Sequence, residues 1–239
     1  TGSSLTGSSL VTTPHAAAGL RRQGFTAHSV PTGARALRAH GGPDLVLFSL
    51  DLPDIEHPRV DSWIKRFTTS MRGSFATYLG RMPRYEEMIS EKLAERDMPQ
   101  DLIYLAMIES GFNPTAKSPV SARGLWQFMR PTAREYGLRV GRGVDERTNP
   151  SRSTDAALTY LSKLYDRFGS WYLAAAAYNT GQGRVARIMR QETGRTKGTD
   201  QDYYRIAHRL PRETRDYVPK MIAAAKIGND PAKYGFGAG

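Results

Sequence analysis

Apolar and polar positions alternate with a helical period over most of the chain. From Asp61 onward, Trp63, Phe67, Met71, Phe75 and Tyr78 recur every three to four residues and draw one apolar stripe. Pro83 restarts the chain, and Tyr85, Met88, Ile89 and Leu93 continue as a second amphipathic helix. Pro99 fits the first turn of a third, with Gln100 and Asp101 at its positive end. This third segment is apolar on nearly every face through Leu102, Ile103, Leu105, Ala106 and Ile108, so it reads as a buried helix. Its last turn ends on a carboxylate, Glu109.

Downstream, Pro131 opens a short helix that Gly137 closes, and the polar, charged stretch 141–148 reads as a loop. Asn149 and Pro150 supply a cap and first-turn proline for a long helix. Its buried face is Ala157, Leu161, Leu164, Tyr165 and Phe168, and it ends at Gly169. An alanine-rich helix over 171–178 and another over 185–191 follow, then an exposed basic loop over 192–201. Tyr203, Tyr204 and Ile206 lead into a final helical region that Met221 to Ile227 completes. Pro219 within it predicts a helix start at Arg215 or Asp216, or a kink. Apart from the short apolar run 45–52, which reads as an extended segment, nothing alternates like a strand. The expected class is all-α.

Before position 45 the picture changes. The chain opens on the tandem repeat TGSSLTGSSL and continues in Gly, Ala, Ser and Pro with few large apolar residues. Such a composition buries too little surface to offset chain entropy, so residues 1–44 are expected to be a flexible leader or linker. Residues 45–82 then form an extended and helical extension, and 83–239 the main domain. The 34 basic and 23 acidic residues leave a net charge of +11, which favours polyanionic partners. Cysteine is absent and the five histidines lack ligand spacing, so neither a disulfide framework nor a metal site is expected. No apolar run is long enough to span a bilayer as a helix.

Glu109 is the candidate chemistry. The negative end of its helix and the apolar neighbours Ile108 and Phe112 both disfavour the ionised carboxylate, so a raised pKa is expected. A carboxylic acid that keeps its proton near neutral pH can deliver it to a leaving-group oxygen, as glycosidic cleavage requires. A glycosidase of the two-carboxylate kind would need a second acid, and the nearest in sequence are Asp101 and Glu135, neither in a recognisable motif.

Around Glu109 four motifs occur in order: ESGFNP, the block 124–129 reading GLWQFM, AAYNTG at 176–181, and ETRDYVPK at 213–220. In this order and spacing, over roughly 60–227, the chain resembles the family 1 lytic transglycosylases of the soluble-lytic-transglycosylase type, most closely the membrane-bound transglycosylase D branch. The resemblance implies a lysozyme-like helical domain with an N-terminal helical extension. It also implies cleavage of the MurNAc to GlcNAc β-1,4 bond in peptidoglycan, with Glu109 as sole acid and base and a 1,6-anhydro-muramoyl end as product.

By the same resemblance Ser118 hydrogen-bonds near the acid and the substrate. Gln127 orients sugar groups, and Met129 gives the cleft an apolar floor. Tyr178 places its hydroxyl close to the acid, beside Asn179, while Glu213 orients substrate from the far side and Tyr217 lines the wall. No cofactor is implied. The expected partner is the peptidoglycan glycan strand rather than nucleic acid. The chain is expected to act as a monomer in the periplasm or cell envelope, with any outer-membrane or wall association made through segments outside it. A hydrolytic muramidase on the same fold and a noncatalytic wall-binding protein are the rival readings. Where many relatives read Met-Pro, this chain has Met129-Arg130-Pro131, which places a cation beside the cleft.

Overall fold

A computed structural model of the chain describes residues 50–237, together with two short backbone strands nearer the N-terminus. These strands, β1 (Thr26–Ser29) and β2 (Arg35–Arg38), pair antiparallel with Thr26 opposite Arg38. They fall in the stretch expected to be a leader, and four residues are too few for a period-two pattern to register. The remainder of that stretch, and the apolar run as far as 49, lie outside the described residues. Contacts divide the chain after Ser49, and the unit that starts at Leu50 is helical.

The first apolar stripe folds as two helices, α1 (Pro58–Thr68) and α2 (Arg72–Arg81), where one continuous stripe was expected. Thr68 Oγ1 donates to the carbonyl of Ile64 at 2.9 Å and Thr69 Oγ1 to that of Lys65, so the side chains bond back to the helix just where it ends. The stripe survives the turn, since Phe67 and Phe75 are fully buried with ring centroids 4.4 Å apart. Pro83 opens α3 (Pro83–Ala94) as expected.

After Pro99 a single 3₁₀ turn leads into α4 (Ile103–Ser110), in which Ile103 through Met107 are all buried. Asp101, at the foot of this helix, is buried and accepts from the Leu52 amide at 3.2 Å and from Asn229 Nδ2 at 3.0 Å. It thereby fastens the incoming chain and the last helix to α4. Burial raises its pKa, and its bonds restrain the rise.

Beyond α5 (Arg130–Glu135), the stretch 141–148 has more structure than the loop expected. It forms a small hairpin of β3 (Val140–Gly141) and β4 (Val144–Asp145) and a 3₁₀ turn in which Glu146 and Arg147 are buried. Burial is tolerable because the charges are paired. Glu146 is met by Arg139 at 2.7 Å and by Arg152, and Arg147 by Asp145 at 2.7 Å.

The helix α6 (Pro150–Phe168) begins where Asn149 Oδ1 accepts from the Arg152 amide at 3.0 Å and ends at Gly169. In α7 (Trp171–Thr180) the run Ala174 to Ala177 is fully buried, its small side chains letting α6 and the last helix approach closely. α8 (Gln182–Thr193) and α9 (Asp200–Ile206) follow, the latter started by a Thr199–Asp202 capping box.

α10 (Arg212–Asn229) carries Pro219 inside a continuous helix that begins at Arg212, ahead of the start expected at Arg215 or Asp216. Proline removes the amide that would serve the carbonyl of Arg215, and the buried Tyr203 hydroxyl reaches that carbonyl at 2.9 Å. One apolar core extends from Leu52 in the incoming segment to Phe236 near the C-terminus.

Candidate active site

The last turn of α4 carries Glu109, two residues before the helix terminates at Gly111 in the left-handed conformation (φ +57°). A side chain at Gly111 would lie 2.2 Å from the ring of Tyr78, so the helix can end here only on glycine. The half-buried Glu109 carboxyl accepts a 2.6 Å hydrogen bond from the Tyr217 hydroxyl. Lys220 donates from Nζ to the neighbouring Ile108 carbonyl at 3.1 Å and so covers the negative end of α4.

Burial pushes the Glu109 pKa up to about 7, against the Tyr217 bond and the Lys220 charge, which lower it, and with a small push from Glu213. Glu213, Tyr217 and Lys220 stand at i, i+4 and i+7 on α10, so one helix face meets the acid. Lys220 carried no separate role in the sequence reading. The signal was that spacing, which a helix beginning at Arg215 or kinked at Pro219 would have hidden.

The loop after α4 is lashed to the acid's own helix. Ser110 Oγ donates to the Leu125 carbonyl at 2.9 Å. Gly124 adopts φ +83°, and a side chain there would lie 1.8 Å from the Arg147 carbonyl oxygen. Arg147 in turn donates to the carbonyls of Ser121 and Phe128 at 2.9 and 3.0 Å. The buried hairpin region thus supports the GLWQFM block from behind, with Trp126 Nε1 bonded to Thr154 at 2.9 Å in the core.

The expected site residues are distributed unevenly. Tyr178 donates to the Trp126 carbonyl at 2.8 Å, so its proton serves the loop, while Tyr217 is the tyrosine whose hydroxyl reaches the carboxyl. Burial and the nearby Glu109 charge both raise the Tyr178 pKa far above its ordinary value. Asn179 bridges α7 and α10, donating to Glu213 at 3.2 Å and accepting from Thr214 at 2.8 Å. Glu213 is exposed and forms no ion pair with Arg212 or Arg215 among the described residues.

Gln127, held at φ +46°, donates from Nε2 to the Gly124 and Ala116 carbonyls at 2.8 and 3.3 Å, so its amide stiffens the loop. Ser118 Oγ accepts from the Ala122 amide at 3.0 Å within a turn. Met129 is 43% exposed at the start of α5, beside the exposed Arg130. Of the two acids nearest in sequence, Asp101 is committed to the foot of α4 and Glu135 is exposed on α5. Among the described residues, no group of three or more His, Asp or Glu side chains could hold a metal ion, and no helix is long and apolar enough to cross a membrane.

Residues 87–201 match the Transglycosylase SLT domain. Membrane-bound lytic murein transglycosylase D of Escherichia coli (strain K12) is 38% identical over 156 residues, covering 65% of this chain and 34% of that protein. Soluble lytic murein transglycosylase of Salmonella typhimurium (strain LT2) is 32% identical over 146 residues, 58% of this chain and 22% of that one. Among solved structures, a complex of the 70-kDa soluble lytic transglycosylase with bulgecin A superposes with a TM-score of 0.54 at 25% identity, covering 69% of this chain and 27% of that chain. The matched part of the chain therefore spans between 22% and 34% of the length of these proteins.

Proposed function

We propose, from the match of residues 87–201 to the Transglycosylase SLT domain and the half-buried Glu109 inside that stretch, that the protein is a peptidoglycan lytic transglycosylase. It acts on glycan strands of the bacterial cell envelope and cleaves the MurNAc to GlcNAc β-1,4 bond. The observation that carries this reading is the half-buried Glu109 carboxyl at the end of the apolar α4, bonded by the Tyr217 hydroxyl at 2.6 Å with Lys220 over the helix end, where burial raises its pKa to about 7. A carboxyl poised there is populated in both forms at neutral pH, which suits a group that must donate a proton and then accept one.

In the first step Glu109 gives its proton to the glycosidic oxygen, the C1–O bond breaks, and positive charge develops on the muramoyl ring. In the second, the Glu109 carboxylate takes the proton from the C6 hydroxyl of the same sugar as O6 bonds to C1. The product is a 1,6-anhydro-muramoyl end, and no water is consumed. Tyr217 steadies the carboxylate between the steps through its 2.6 Å bond, and Lys220 offsets its charge. Exposed Glu213, held by Asn179, is placed to orient the sugar.

Mass spectrometry of muropeptides released from sacculi tests the assignment. The wild-type protein is expected to yield anhydro ends without new reducing ends, and Glu109→Gln to lower the yield at least about a thousandfold. Release of reducing muramic acid would mean hydrolysis instead, and unimpaired cleavage by Glu109→Gln would remove the acid from the mechanism.

A further inference from the structure

A cavity lies between α1 and α10, on the face of α10 next to the one that carries Glu213, Tyr217 and Lys220. It has a volume of about 350 Å³ and is lined by Arg59, Trp63 and Arg66 of α1 and by Arg212, Arg215 and Asp216 of α10. Four guanidinium groups face one carboxylate, and that carboxylate is already taken by Arg59 at 2.7 Å. Arg66 and Arg212 are exposed and, among the described residues, meet no carboxylate. Arg66 lies 4.9 Å over the Trp63 ring, which holds its planar fork in one orientation. Arg215 donates from Nη2 to the Leu210 carbonyl at 3.3 Å, and its buried Nε has no hydrogen-bond partner.

Lys220 links the cavity wall to the helix of the acid: its Nζ is 3.1 Å from the Ile108 carbonyl and 5.6 Å from the ring of Trp63, which lines the cavity. A ligand for it therefore carries anionic, planar, bidentate groups and is attached to whatever occupies the cleft. On a peptidoglycan strand, carboxylates of this kind are concentrated on the peptide stems. We propose that the arginine cavity between α1 and α10 binds the stem-peptide carboxylates of the strand being cut. The assignment rests on the reading of the Glu109 cleft as a peptidoglycan site. It makes α1, which precedes the family segment, part of substrate recognition.

Binding to three strands tests it, using the Glu109→Gln protein so that nothing is consumed. The first strand carries intact stems. The second has its carboxylates converted to amides by carbodiimide and ammonia. The third is stripped by an amidase, which leaves the lactyl carboxylate alone. Intact strands are expected to bind about tenfold more tightly than either of the others. Adding Arg66→Gln and Arg212→Gln is expected to erase that preference while leaving affinity for amidated strands and the thermal midpoint unchanged. Equal binding of all three strands, or an equal loss on all three with the arginine substitutions, would overturn the proposal. Stripped strands binding as tightly as intact ones would overturn it in favour of the lactyl group. Wild-type release of anhydro ends without any stem preference would sink this inference alone. Stem preference without cleavage by the wild type would sink the transglycosylase reading instead.

Discussion

Glu109 keeps its proton because burial outweighs two stabilising neighbours, and each neighbour can be removed separately. The tyrosine bond and the lysine charge both favour the carboxylate, so Tyr217→Phe and Lys220→Met should each raise its pKa further. In the proposed mechanism the first step needs the protonated form, so kcat/KM should fall as pH rises through this pKa, near 7 in the wild type. In both variants that alkaline limb is expected to move to higher pH. Glu213 pushes the other way, so Glu213→Gln should move it to lower pH while keeping an acceptor for Asn179. The pH dependence of strand cleavage measures all three, and a limb that stays fixed in Tyr217→Phe would show that Glu109 does not control it. At this scale the raised pKa of Glu109 was legible, because a charge closing an apolar helix is visible in the sequence. The partner was not. Tyr178 and Tyr217 each sit in a motif, and which hydroxyl reaches the carboxyl depends on how α7 and α10 cross.

Elements whose punctuation is local were read correctly: Pro83, Asn149-Pro150 and Gly169 open or close α3 and α6 as their chemistry dictates. Elements that depend on a distant partner were not. The polar stretch 141–148 turns inward only because Glu146 and Arg147 find opposite charges. Likewise α10 passes through Pro219 because a tyrosine from α9 tends the carbonyl the proline leaves unserved. Removing that hydroxyl in Tyr203→Phe is expected to cost about 1–3 kcal/mol in urea unfolding. Pro219→Ala, which restores the amide, should recover much of the loss in the double variant. A double-mutant cycle with no coupling would mean that the hydroxyl and the proline act independently.

The molecule is larger than its recognisable segment. Residues 87–201 exclude α1, α2 and α10, yet Val218, Met221, Ile222 and Ala225 of α10 are fully buried in the same core as α4 and α7. Cutting the chain to 87–201 should strip that core of a wall. The fragment is expected to lose its near-ultraviolet circular dichroism and cooperative unfolding, whereas residues 50–237 should retain both. A fragment with native-like unfolding would show that α10 is dispensable for folding.

Acid and tuner therefore come from separate stretches of polypeptide: Glu109 from inside the recognisable segment, Tyr217 and Lys220 from a helix that follows it. A chain that kept α4 and its loop but altered the terminal helix could preserve its cutting chemistry while shifting the acidity at which it works. Adaptation to more acidic or more alkaline surroundings would then be written in the helix that faces the acid, leaving Glu109 itself untouched.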